Sequence, residues 1–222
     1  MNLAKTWQQL GKFLIQWTAI TTGGGAIAYL LAVVIGSAIG GNLTGLFWVG
    51  IPAGGVAGGI VVGSFQRRIL HPLIPVTNQW VWVTAMGWAV CIPFLIGLSG
   101  WISALTRAMQ GWYALTLFLI GAGISGALSG SGQWYLLRPK IDKALWWLLA
   151  CGIGWLLAWL SVLGLWWLLG QGRKGLPFTL EEIVPVIALG AIAGWMVGIE
   201  QGVALVGLIA QAEWEARRDG VV

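Results

Sequence analysis

Charge is scarce in this chain. Asp, Glu, Lys and Arg make up 9% of its 222 residues, against roughly a quarter in a soluble domain, which leaves too little polar surface for a water-facing globule. Imidazole is scarcer still, with His71 the single histidine, and the two cysteines, Cys91 and Cys151, sit apart in apolar runs without a Cys-x-x-Cys spacing. These shortages exclude a zinc site, paired haem ligands and a disulfide framework, and leave both cysteines as small apolar residues. No two carboxylates share an apolar run and no nucleophile stands beside a base. The Gly55 to Gly63 stretch lacks the Gly-Lys-Ser and strand context of a phosphate loop, so an enzyme is not expected. The net charge of +5 does not point to nucleic acid, because most basic residues flank apolar spans, where they orient a protein in a membrane.

What the chain has in abundance is apolar residues, at 58%, with 35 glycines and 17 tryptophans. Glycine inside apolar runs lets helices approach closely, and indole rings favour the two bilayer interfaces. The composition predicts an integral membrane protein. Stretches of about 20 residues, enough to cross a bilayer core, are expected at Thr18–Gly40, Leu46–Phe65, Trp80–Leu98, Trp112–Ser131, Leu145–Leu168 and Ile183–Ala204. Pro72 and Pro75 in the second connection, and Gly172, Gly175 and Pro177 in the fifth, mark helix ends.

With alternating sides, Lys5, Lys12, Arg67, Arg68, Arg138, Lys140, Lys143, Arg217 and Arg218 fall together, and only Arg107, Arg173 and Lys174 fall opposite. That asymmetry places both termini in the cytoplasm. Before the first span, Leu3, Trp7, Leu10, Leu14 and Trp17 recur every three or four residues, a stripe expected to lie on the membrane surface. The apolar run then continues without a small-residue cleavage site, which predicts an uncleaved start. The expected organisation is an amphipathic interfacial segment over 1–16, a six-helix transmembrane domain over 17–210 and a polar cytoplasmic tail over 211–222.

One word recurs along the chain. Gly55, Gly59 and Gly63 run at intervals of four into Gln66; Gly190, Gly194 and Gly198 run likewise into Gln201; Gly126 and Gly130 run into Gln133, with Ala122 in the first place. Adding 67 takes Gln66 to Gln133, Trp80 to Trp147 and Trp88 to Trp155, and adding 68 takes Gln133 to Gln201. A long period that holds across two helices marks triplication. The fold class expected is therefore all-α, with three parallel two-helix repeats at about 17–66, 80–133 and 145–201. Because each repeat contains two spans, all three share one orientation, unlike inverted transporter repeats.

Glycine every fourth residue prepares a groove on each even-numbered helix. Its natural complement is the set of large rings on the odd-numbered helices, Trp80, Trp88, Trp147 and Trp155, filling the grooves and offering an aromatic surface. The first repeat reads Thr21-Thr22-Gly23-Gly24-Gly25 in the corresponding stretch and is expected to be degenerate. Gln66, Gln133 and Gln201 would converge at one depth near the cytoplasmic end, either as a polar binding ring or as interhelical hydrogen-bonding groups. Glu200 is the one ionisable residue clearly within a span, beside Gln201 and near the interface, and an ion pair with Arg138 or Arg67 or a proton or cation site are its two roles.

The segment Gln133-Trp134-Tyr135-Leu136-Leu137-Arg138, preceded by Gly126 and Gly130 and followed by Trp147 and Gly154-Trp155, resembles a signature of uncharacterised multi-spanning membrane proteins of cyanobacteria and filamentous green bacteria. The resemblance implies a plasma or thylakoid membrane and brings no activity with it. On these grounds the expected function is a non-catalytic accessory or scaffold subunit that binds a partner membrane protein, membrane lipids or a pigment such as chlorophyll or a carotenoid. The competing expectation is a small-solute channel or transporter built on the glutamine ring and Glu200.

Overall fold

A computed structural model describes residues 3–40, 49, 51–91, 111–170 and 180–218. Within them the chain is all helical, with six helices and no strand: α1 (Leu3–Gly40), α2 (Ile51–Leu70), α3 (79–91), α4 (Gly111–Leu137), α5 (Leu145–Gly170) and α6 (Leu180–Arg218). Arg107, Arg173 and Lys174, which the charge asymmetry assigned to the far side, lie outside the described residues, as does the end of the third expected span. Two described stretches, Leu115–Leu137 and Ile187–Ala212, are long and apolar enough to cross a membrane, and Leu145–Ser161 is a shorter apolar stretch.

The helices form three hairpins, α1–α2, α3–α4 and α5–α6, arranged in a closed ring in which α6 returns to pack along α1. The glycine word builds the seams between hairpins. A methyl group on Gly59 of α2 would fall 2.5 Å from Ala85 Cα on α3, and one on Gly126 of α4 would fall 2.5 Å from the Cys151 carbonyl on α5. The equivalent Gly194 of α6 abuts the Thr21 carbonyl on α1. Each glycine face thus receives the backbone of the following odd-numbered helix. The expectation that indole rings fill these grooves is corrected at Gly59, Gly126 and Gly194, where two helix backbones touch directly; at Gly130 the Trp147 ring does border the groove, its Nε1 3.6 Å from an added methyl.

The turns after α2 and α4 are copies. Ile74 N–H donates to Leu70 O and Ile141 N–H to Leu137 O, at 2.8 and 3.0 Å, and Trp80 and Trp147 N–H close the following turns onto Thr77 O and Ala144 O. Pro72, Pro75 and Pro139 prevent helical continuation there. In the third hairpin the helix runs straight on, and Leu205 and Ile209 of α6 take the buried places held by Leu70 and Ile74, and by Leu137 and Ile141.

At the start of the chain the structure departs from the expected surface segment over 1–16. Helix α1 is unbroken from Leu3 to Gly40, and Leu10, Phe13 and Trp17 are buried in the same cluster as Trp80 and Trp147. Leu10 and Trp17 of the apolar stripe face the bundle core, where α6 extends far enough to bring Leu205, Leu208 and Ile209 into the same cluster.

Candidate functional site

Three tryptophans stand on odd-numbered helices four residues before a small polar residue: Trp17 before Thr21, Trp80 before Thr84 and Trp147 before Cys151. All three rings are fully buried and meet one another at centroid separations of 6.3, 6.1 and 6.2 Å. Two of the contacts are edge-to-face, an arrangement that aromatic quadrupoles favour. The three indoles therefore fill the axis of the ring at this level. Trp17 is the first-repeat counterpart that the sequence pattern at a period of 67 missed.

The glutamines tie this layer together. Thr21 and Thr84 each donate their hydroxyl to the carbonyl one turn back, Trp17 O at 2.9 Å and Trp80 O at 2.8 Å. Their oxygens are left as acceptors, and Gln66 Nε2 donates to Thr21 Oγ1 at 3.2 Å while Gln133 Nε2 donates to Thr84 Oγ1 at 2.8 Å. The carbonyl ends accept from the next hairpin: Trp80 Nε1–H to Gln66 Oε1 at 3.4 Å and Trp147 Nε1–H to Gln133 Oε1 at 3.3 Å. The pattern fixes each amide's orientation, since a committed hydroxyl needs a donor and an indole N–H needs an acceptor.

The third link is different. Gln201 Nε2 meets Cys151 Sγ at 3.3 Å, and Trp17 Nε1, which the symmetry would direct to Gln201, has no hydrogen-bond partner. A thiol is a weaker acceptor than a hydroxyl. Two links of the relay are closed and one is open.

The glutamines are accordingly brought to one layer, as expected, but not as a ring around a lumen. All three are buried; Gln66 and Gln133 stand one turn before the ends of α2 and α4, Gln201 lies well inside the longer α6, and the amides of Gln66 and Gln133 are engaged at both ends by threonine and tryptophan. Glu200 is half-buried on α6, where its Cβ approaches Gly154 of α5. It forms no ion pair with Arg67 or Arg138. Arg138 lies over the Tyr135 and Trp134 rings at 4.3 and 5.5 Å, and the one ion pair among the described residues is Lys143 to Glu215, at 4.0 Å.

A second aromatic layer lies about two helical turns further along the axis. Trp88 and Trp155 meet edge-to-face at 6.2 Å, and the third place, 63 residues before Trp88, is Gly25. These rings are also buried, so the expected aromatic surface of Trp80, Trp88, Trp147 and Trp155 faces inward and is not a groove open to a partner. Where the third ring would stand there is a cavity of about 20 Å³ bordered by Gly25, Tyr29, Trp88, Trp155 and Trp159. That is room for one water-sized molecule. Trp159 Nε1 is buried without a partner, and Phe118 packs edge-to-face on the Trp159 ring at 5.6 Å.

No protein-family model, curated protein or solved structure matches this chain. Its chemistry is therefore carried by the residues alone. Among the described residues no three of His, Cys, Asp and Glu gather as a metal site. Cys91 Sγ–H donates to the Ser125 carbonyl at 2.8 Å, and His71 is exposed on the turn after α2. The buried glutamine, threonine and serine side chains hydrogen-bond to side chains or backbone around them, while Trp17 Nε1, Arg67 Nε and Trp159 Nε1 are buried without a partner.

Proposed function

We propose that the chain is a non-catalytic accessory or scaffold subunit of a bacterial membrane, with all six helices crossing the bilayer and both termini on the cytoplasmic side, beside the 71–78 and 138–144 turns. The observation that carries this reading is the contrast between inside and outside. The interior polar groups are largely spent on one another, while the outer surface is apolar: Leu117, Ile120, Ile124 and Leu128 project from α4 at intervals of three or four, and Trp146, Leu149 and Ile153 from α5. In water such a surface drives aggregation, whereas in lipid it is the ordinary solvent-facing side. The sequence resemblance supports a plasma or thylakoid membrane.

A partner membrane protein, a lipid or a pigment would be held on this outer surface. Chlorophyll ligation by Gln66 or Gln133 would cost the indole hydrogen bonds that their carbonyl oxygens accept. An absorption spectrum of the purified protein without pigment bands removes that sub-case. Co-purification after mild solubilisation tests the accessory role: a stable larger assembly is expected, and a chain that always migrates alone defeats it. The channel alternative needs the amides to face a lumen, whereas the three indoles occupy the axis at that level.

A further inference from the structure

Along the outside of the middle hairpin runs a groove of about 250 Å³ between α3 and α4. Its rims are Met86 and Val90 on α3, 59% and 57% exposed, and Leu128 on α4, 57% exposed. The floor is Gly87 and Gly132, the latter tight against Val83. Broken symmetry explains why it lies here. The places equivalent to Gly132 in the other two hairpins, at offsets of 67 and 68, are Phe65 and Glu200, whose side chains project where the middle hairpin has none.

The face of α4 that lines the groove continues, beyond the groove itself, toward a cation. Tyr135 follows Gly132 by three residues and Ser131 by four, so it continues the same helix face, and Arg138 lies one turn beyond with its guanidinium 4.3 Å from the Tyr135 ring centroid. Lys143 pairs with Glu215 and Lys140 donates to the Pro75 carbonyl. Arg138 has no carboxylate partner among the described residues and sits exposed, with five N–H donors, six residues beyond Gly132 of the groove.

We propose that this groove is a binding site for one anionic phospholipid, with an acyl chain along α3 and α4 and its phosphate on Arg138. The apolar length suits a chain, the exposed planar cation suits a phosphate, and Tyr135 provides the amphipathic ring typical of the headgroup level. This rests on the membrane-spanning reading, and the test keeps the two separable.

The full chain, purified in mild detergent, is titrated with phosphatidylglycerol or with phosphatidylcholine of the same acyl chains, and retained lipid is counted by native mass spectrometry. One phosphatidylglycerol is expected to be retained, with an affinity roughly five-fold above that for phosphatidylcholine, the effect of one interfacial cation. R138Q removes the preference between headgroups. V90W, which puts an indole into the groove from its rim, removes retention of both lipids, and L128W does the same from the opposite rim should V90W fold poorly. Equal retention of the two lipids by the wild-type chain overturns the proposal, as does retention that survives both groove-filling variants. A dimer of the chain that V90W dissolves also overturns it, since the occupant is then a second copy. An alkaline wash of the source membranes decides the underlying reading: release of the chain ends the spanning assignment whatever the lipid result, and a chain that stays but holds both lipids equally loses only the site.

Discussion

The two aromatic layers occupy equivalent positions in the same three hairpins, yet one is complete and the other is not. Trp17, Trp80 and Trp147 close on one another and are tied to the glutamines, whereas Trp88 and Trp155 face an unfilled corner at Gly25. The reason lies in the seam. A methyl on Gly25 would fall 3.1 Å from Gly194 Cα and against the Gly190 carbonyl, so α1 and α6 cross too closely there for any side chain. Packing two helices tightly and filling the axis with a ring are competing demands, and at this one position the seam prevails. The complete layer is therefore where the fold stores its stability, and the incomplete one is where it leaves space.

The largest effect that separates the layers is expected from ring removal. Trp147→Ala or Trp80→Ala should lower stability by about 3–5 kcal/mol, the range for large aromatic truncations in a core. Trp88→Ala should cost less, because its ring already borders empty space. Thermal unfolding of the detergent-solubilised variants measures both, and equal losses would erase the distinction. Next comes the seam: Gly194→Ala, which drives a methyl onto the Thr21 carbonyl, should cost about 1–3 kcal/mol by overpacking. Gly123→Ala, whose added methyl meets nothing closer than 3.9 Å, should be neutral or slightly stabilising through helix propensity. If both glycines tolerate alanine alike, backbone contact is not what joins the hairpins.

Within the complete layer the closed and open links differ more subtly. Gln133→Leu strands the Trp147 N–H and should cost roughly 1 kcal/mol. Gln201→Leu should cost less, since Trp17 Nε1 has no partner to lose. A loss of the same size at both positions would mean that Gln201 accepts from Trp17 in solution. The smallest expected change is a gain. Cys151→Thr supplies the acceptor that Thr21 and Thr84 provide in the other links and should raise stability by a few tenths of a kcal/mol. A drop in melting temperature would show that the third site is fitted to sulfur.

Much of this is legible in the sequence, and what is not has two causes, a change of spacing within the hairpins and the rotation of helices about one another. The glycine word and the glutamines revealed three helical hairpins, because α2 to α5 keep a spacing of 14 residues from each glutamine to the next tryptophan, Gln66 to Trp80 and Gln133 to Trp147. Within a hairpin the spacing slips: Trp17 to Gln66 is 49 residues, Trp80 to Gln133 is 53 and Trp147 to Gln201 is 54. A period of 67 therefore sets Trp80 against Phe13 and not Trp17. An offset of 63 would have recovered Trp17, Thr21 and Gly24 together. Which side of the glycine face meets backbone and which meets rings depends on how helices rotate about one another, and a linear period carries no rotation. The engagement of each amide at both ends is likewise a property of three helices at once.

The seam between α1 and α6 has a consequence for the order in which the molecule can be completed. Helix α1 is made before α6, but its strip from Thr18 to Gly25 is covered by Gly190, Gly194 and Gly198 of α6. At ordinary elongation rates that partner arrives on the order of ten seconds later. Until then Thr18, Thr21, Thr22 and Gly25 of α1 lack the glycine face that covers them in the finished bundle.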